Sequence, residues 1–287
     1  MATNSNAVSD NSETDFTFKK QDKKTSNEDM PPIPSLPVVE PLFYDMTGCK
    51  YLYIFNHFRY HTRDKKSKTP SERQGTGADV KRLRATFESL GFRVEDFHDL
   101  TYKKIMDVVQ YVISADHRET SCVAIVIMTH GLDGGVLEAA DKAYGLAEIH
   151  NKFVNSNNDH LLNKPKLFFI QACRGDELDS GKITTDGAGS DNAIILPTHV
   201  DFLTMYSTVP GYVSWRDSQG SWLIQALCDN LEKYSDQCDL LHIITLTNQK
   251  VAYTRASFSP NEKHHGKKQM PETQFTLTKF LKFKRGQ

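Results

Sequence analysis

Two short, unbroken apolar runs set the strongest limit on how this chain folds: CVAIVIM at Cys122 to Met128 and KLFFIQAC at Lys166 to Cys173. A strand with water on one face alternates polar and apolar side chains. Runs without alternation, bounded after a few residues by polar or glycine-containing sequence, predict strands covered on both faces. Around them the spacing changes to that of amphipathic helices. Val80, Leu83, Phe87 and Leu90 recur through Ala78 to Leu90, with Gly91 as a stop signal, and similar patterns run from about Tyr102 to Ala115 and near Leu146 to Phe153. Further strands are predicted at YLYIFNHF (Tyr51 to Phe58), FRVEDFHD, Phe202 to Ser207 and QFTLTKFLKF, and further helices from about Ser221 to Tyr234 and Leu240 to Tyr253. Strands alternating with helices predict an α/β fold with a mostly parallel central sheet and helices on both faces.

Residues 1–29 hold too few apolar side chains to offset the entropy of ordering, and MPPIPSLPVVEP (Met30 to Pro41) reads as an extended connector. The interval Asp176 to Asp201, rich in Asp, Gly, Ser and Thr, predicts a linker that divides one fold into two pieces, 30–186 and 202–287, with 187–201 between them. The formal net charge of -1, from 35 Lys+Arg against 36 Asp+Glu, removes the basic excess that nucleic-acid binding requires. No run of about 18 apolar residues predicts a membrane span, and the polar N-terminus predicts no signal peptide. Five cysteines, odd in number and mostly within apolar runs, read as reduced thiols in a cytoplasmic protein.

In open α/β sheets, ligands gather outside the carboxyl ends of the strands. Two of the predicted strands end there in reactive groups: His130 closes one and Cys173 the other, each followed closely by glycine. A thiol nucleophile needs an imidazole to manage protons and backbone N–H groups to hold an oxyanion, so the pair fits acyl transfer. Spacing alone fits a structural pair as well, because cysteine is often buried and a single histidine is often structural.

The string Gln171-Ala172-Cys173-Arg174-Gly175 separates these readings, because it resembles the local signature of caspases. The resemblance extends over nearly all of residues 42–287. Met128-Thr129-His130-Gly131 resembles the family's Ser/Thr-His-Gly, Ser71 to Thr76 resembles the loop carrying its first specificity arginine, and Tyr212-Val213-Ser214-Trp215-Arg216 resembles the segment carrying the second. Phe258 to Pro271 is similar to a loop of the executioner members.

The resemblance implies Cys173 as nucleophile, His130 as general acid/base, and the backbone N–H groups of Gly131 and Cys173 as oxyanion hole. It also implies a pocket for aspartate lined by Arg73, Gln171 and Arg216. An aspartate losing its hydration there needs paired, charge-assisted hydrogen bonds. Ser214 and Arg216 would bond the substrate backbone as an added strand, with Trp215 and Trp222 as aromatic walls. Val213 and Asp217 depart from the executioner pattern, and Asp217 would repel an acidic residue four positions before the cut.

By the same resemblance the chain is an apoptotic zymogen. Asp186, followed by Gly187, is the expected cut between a large subunit (30–186) and a small one, and Asp29 or Asp15 the site of removal of the short prodomain (1–29). Implied partners are proteins with exposed Asp sites, an upstream initiator caspase, inhibitor-of-apoptosis proteins and a second copy of the chain, joined through QFTLTKFLKF. No cofactor, metal, nucleic acid or membrane is implied. His264-His265 lacks the spaced partners of a metal site. HFRYHTRDKKSK, though it mixes aromatic and basic residues, reads as a solvated loop beside the site. Two alternatives stay open: a peptidase of the same fold with another charge preference, and a catalytically silent caspase-like regulator.

Overall fold

Thr120–Met128 is the axis of the fold, and all nine of its residues are buried. The structure is a computed structural model that describes residues 42–61, 69–154, 159–175, 200–217 and 219–284. In chain order its elements are β1 (Cys49–Asn56), α1 (Thr76–Ser89), β2 (Phe92–His98), α2 (Tyr102–Ser114), β3 (Thr120–Met128), β4 (Gly131–Leu132), β5 (Val136–Glu138), β6 (Ala143–Gly145), α3 (Leu146–Val154) and β7 (Lys166–Gln171). After these come β8 (Phe202–Tyr206), β9 (Arg216–Asp217), β10 (Gly220–Ser221), α4 (Trp222–Tyr234), α5 (Leu240–Thr254) and β11 (Glu272–Phe275).

Six strands form the main sheet in the order β11-β8-β7-β3-β1-β2. The pairings of β2 with β1, β1 with β3, β3 with β7 and β7 with β8 are parallel, and only β11 runs antiparallel, against β8. Successive side chains of a strand point to opposite faces, so each central strand feeds two cores. Leu52, Ile54, Ala124, Val126, Leu167 and Phe169 pack with apolar residues of α1, α4 and α5. Tyr53, Phe55, Ile125, Ile127, Phe168 and Ile170 pack with those of α2 and α3. The unbroken apolar runs are thus strands coated on both sides, which is the α/β arrangement that the sequence predicts.

Parallel register brings the strand ends into line. Asn56 faces Met128, Met128 faces Gln171, and Ile170 faces Tyr206. Whatever follows β1, β3, β7 and β8 therefore emerges at one edge of the sheet.

Two expectations need correction. QFTLTKFLKF is not one strand: pairing with β8 ends at Phe275, and Leu281 and Phe283 instead enter the core. β8 itself begins at Phe202, so beyond Thr276 the antiparallel chain has no strand left to pair with. There the Thr278 hydroxyl (2.6 Å) and the Tyr44 hydroxyl (2.5 Å) donate to the fully buried Asp201 carboxylate. The turn-rich stretch after His130 is also more ordered than its composition indicates, since β4, β5 and β6 form a small antiparallel sheet. The expected processing sites Asp15, Asp29 and Asp186 lie outside the described residues, as does nearly all of the expected linker.

Candidate active site

His130 follows the end of β3 by two residues and Cys173 follows the end of β7 by two, so both stand at the carboxyl edge of the sheet. Thr129 N–H donates to the Gln171 carbonyl at 3.1 Å, tying the two strand ends together. Gly131 lies so close to the Cys173 turn that a Cβ there would stand 2.0 Å from the Cys173 carbonyl oxygen. Only glycine allows that approach. The turn after Cys173 is knitted to the segment before Ser214: Arg174 N–H donates to the Tyr212 carbonyl (3.0 Å) and Gly211 N–H to the Arg174 carbonyl (2.7 Å). Ser214 N–H then donates to Cys173 Sγ at 3.4 Å.

The His130 Nε2 lies 2.8 Å from the Ser71 carbonyl. A carbonyl only accepts, so Nε2 carries a proton and Nδ1 is the nitrogen left to exchange one. Burial holds His130 below the ordinary imidazole value, and Arg73 and Arg216 push the same way, against the Ser71 hydrogen bond and Glu138. The neutral, basic form is therefore favoured.

Arg73 is the largest fully buried side chain, 1% exposed. Its Nη1 donates to the His57 carbonyl (2.9 Å) and the Thr76 hydroxyl (3.1 Å). Arg216 Nε donates to the Gln74 carbonyl at 2.6 Å. Among the described residues neither guanidinium forms an ion pair. Burial first, and then the Arg216 charge, push Arg73 down to about 10, and burial also lowers Arg216. Two desolvated cations thus face one space without an anion between them, and a carboxylate is the group that relieves both.

That space is a cleft of about 210 Å³, lined by Arg73, Thr129, His130, Gln171, Ala172, Cys173, Ser214, Trp215 and Arg216. Gln171 Nε2 donates to the Ser214 hydroxyl at 2.6 Å, while its Oε1 has no partner among the described residues. Trp222 is placed differently from the other predicted site residues. It is 4% exposed and stacks behind Trp215 at 6.1 Å between ring centroids, packed with Ala226 and Val251. Its place on the apolar face of α4 takes it out of the cleft lining. The Asp217 carboxylate lies 3.7 Å from Arg255, a half-exposed pair that offsets part of its charge.

Three supporting groups were not named from the sequence, and only the last had a signal there. Ser71 acts through its backbone carbonyl, which any residue supplies. Asp79, in the first turn of α1, is fully buried, accepts from Ser221 N–H (2.8 Å) and Gln225 Nε2 (3.0 Å), and is the carboxylate whose field reaches both arginines. Gln269 accepts the Trp215 N–H at 2.6 Å and donates to the Ser207 carbonyl at 2.7 Å, pinning the segment that carries Ser214 to Arg216. Its position just before Met270-Pro271, within a loop segment already matched to the executioner members, was the available signal.

All five cysteines are free. Among the described residues, no group of three or more His, Cys, Asp or Glu side chains is arranged to hold a metal ion. No helix among them is long and apolar enough to cross a membrane.

Known proteins resemble this chain in sequence and in fold. Residues 49–282 match the family model described as the caspase domain. The chain is 42% identical to caspase-3 of Bos taurus over 213 residues, 74% of this chain and 77% of the relative. It is 41% identical to caspase-3 of Mus musculus over 232 residues, 80% and 82% of the two chains. The crystal structure of caspase-1 from Spodoptera frugiperda superposes with a TM-score of 0.76 at 35% identity, covering 88% of this chain and 97% of that one.

Proposed function

The chain belongs to the caspase family of cysteine peptidases, and from that premise we propose that it is an aspartate-specific endopeptidase of the executioner type, made as a zymogen and acting in apoptosis. Cys173 Sγ attacks the carbonyl carbon of the scissile peptide; the C–S bond forms as His130 Nδ1 receives the thiol proton. The carbonyl electron pair moves to oxygen, where the backbone N–H groups of Gly131 and Cys173 stabilise it. Collapse of that intermediate breaks the C–N bond, and His130 returns the proton to the departing amine. Water, deprotonated by the same imidazole, then hydrolyses the thioester and frees Cys173.

The observation that carries the aspartate reading is the pair of guanidiniums, Arg73 fully buried and Arg216 half-buried, that form no ion pair among the described residues and line the cleft that holds Cys173 and His130. An uncharged side chain entering there leaves both cations unpaired, and a basic one adds a third. Ser214, Trp215 and Arg216 bind the residues ahead of the aspartate as an added strand. Cleavage at Asp186 by an upstream caspase separates the large and small subunits, and removal of the N-terminal arm follows at Asp29 or Asp15. The working form is a dimer of large and small units in a reducing, cytoplasmic setting, open to inhibitor-of-apoptosis proteins.

The test combines intact mass and N-terminal sequencing of the purified protein, beside Cys173→Ala, with turnover of fluorogenic peptides ending in Asp, Asn or Arg. A fragment beginning at Gly187 in the wild type alone, with turnover confined to the Asp peptide, is the expected result. An uncut chain that stays inert after another caspase nicks it at Asp186 would favour the silent regulator. Turnover of the Asn or Arg peptide would favour the other peptidase branch.

A further inference from the structure

Tyr60 lies in the aromatic and basic run after β1, which reads in the sequence as a solvated loop. Its side chain instead turns inward. The His130 N–H reaches the Tyr60 hydroxyl at 3.1 Å, the same hydroxyl lies 2.9 Å from the Thr129 hydroxyl, and the Thr129 hydroxyl lies 2.5 Å from the Glu138 carbonyl.

The chemistry of the end groups fixes the direction of this chain. The Glu138 carbonyl can only accept, so the Thr129 hydroxyl donates to it. The His130 N–H can only donate, so Tyr60 accepts it and gives its own proton to Thr129. Each hydroxyl is then used once as donor and once as acceptor, with no freedom to rotate. The Glu138 N–H closes the other side of the same residue by donating to the His130 carbonyl at 3.0 Å.

The ring does separate work. Its centroid lies 5.4 Å from the His130 imidazole, tilted by 38°. Its other neighbour is His57, nearly parallel at 6.2 Å, a fully buried ring whose Nε2 is held by the Leu100 carbonyl at 3.0 Å. Tyr60 is therefore wedged between a fixed structural ring and the imidazole.

We propose that Tyr60 is a positioning residue for the reaction: its hydroxyl locks the backbone of His130, and its ring shields one face of the imidazole from water, so that the base is presented to the thiol in one orientation. This rests on His130 being the general base of the proposed peptidase. Of the groups around His130, Arg73 and Arg216 lower its proton affinity, while Glu138 and the Ser71 carbonyl raise it. Cys173 lines the same cleft, and the Tyr60 ring lies against one side of the imidazole.

Two substitutions separate the hydroxyl from the ring. Tyr60→Phe keeps the shield and removes the lock, and should lower kcat about tenfold while leaving KM within about twofold. Its His130 titration midpoint, read from the imidazole Cε1–H resonance, should stay where it is in the wild type. Tyr60→Ala admits water to the imidazole and should raise that midpoint by roughly half a unit to one unit, carrying the acid limb of kcat/KM to higher pH.

A Tyr60→Phe enzyme with wild-type kcat would overturn the lock, and an unmoved midpoint in Tyr60→Ala would overturn the shield. A wild type that cleaves no Asp peptide would sink the proposed function instead. The resonance still decides the shield in that case, because it needs no turnover.

Discussion

A guanidinium that is 1% exposed and has only neutral partners is an expensive thing to fold. Arg73 is tolerated because the Asp79 carboxylate lies behind it and the cleft lies in front. If its purpose is to receive a substrate carboxylate, Arg73→Ala should lower kcat/KM for an Asp peptide at least about a hundredfold, the scale of breaking a buried charge pair. Thermal stability should hold or rise, because a desolvated charge is removed. Peptide kinetics and a melting curve on the same preparation check both halves, and an equal loss of activity and of folded protein would make Arg73 merely structural. Gly131 offers a second test at this scale. Its Cα is so near the Cys173 carbonyl that Gly131→Ala must displace one of the two chains. A displacement of about 1 Å in the reacting groups costs roughly a hundredfold in rate, so kcat should fall with KM for the Asp peptide changing far less. An inhibitory Asp aldehyde, which Cys173 captures in the same oxyanion hole, should weaken along with kcat.

At the scale of elements, the buried strands and their helices were readable because burial on both faces leaves an unbroken apolar run, and helical spacing announces each partner. The α1 stop at Gly91 was readable too, since that residue has φ 79°, the left-handed region that favours glycine. What sequence periodicity could not convey is whatever depends on contacts distant along the chain. β4 to β6 are only two or three residues each, too short for any period to register. QFTLTKFLKF has strand composition, and its departure from the sheet follows from where its distant partner β8 begins, at Phe202. Cys173, His130, Arg73, Gln171, Ser214 and Arg216 were named from motifs, and the fold brings all six around one cleft. Trp222 was named with them, but helical spacing alone could not show which face of α4 is turned inward. Gln269 tests the same lesson. It bridges β8's outgoing chain and the Trp215 backbone, so Gln269→Ala should loosen the segment that binds substrate as a strand. KM for an Asp tetrapeptide should rise several-fold, near tenfold at most, with kcat changing less, as expected for about one lost buried hydrogen bond. A fall in kcat with unchanged KM would place Gln269 with the reacting groups instead.

For the whole molecule, the buried imidazoles make stability a function of pH. Burial holds His57, His117 and His130 below the ordinary value of 6.5, and takes fully buried His57 down to about 4. Between about 6.5 and 4 the unfolded chain binds protons that the folded chain refuses. The unfolded state is then the more protonated one, so stability is present above this window and is lost as pH falls through it. Asp79 acts in the opposite sense: burial raises its carboxyl above 3.8, so the folded chain takes that proton first and recovers part of the loss. Lys166, lowered to about 8, titrates above the window and does not contribute within it. His57 alone should remove about 2 kcal/mol between pH 7 and pH 5, the linkage expected when a site of pKa 6.5 drops to about 4 on folding. Urea unfolding of the Cys173→Ala chain at pH 7, 6 and 5 measures the slope without self-cleavage, and His57→Phe, which cannot titrate, should flatten it by that amount. Burial and the two arginines hold His130 below the ordinary value as well, so the acid limb of kcat/KM should lie below the 6.5 of a free imidazole. A limb at or above 6.5 would mean that the cleft does not hold the ring in its neutral form.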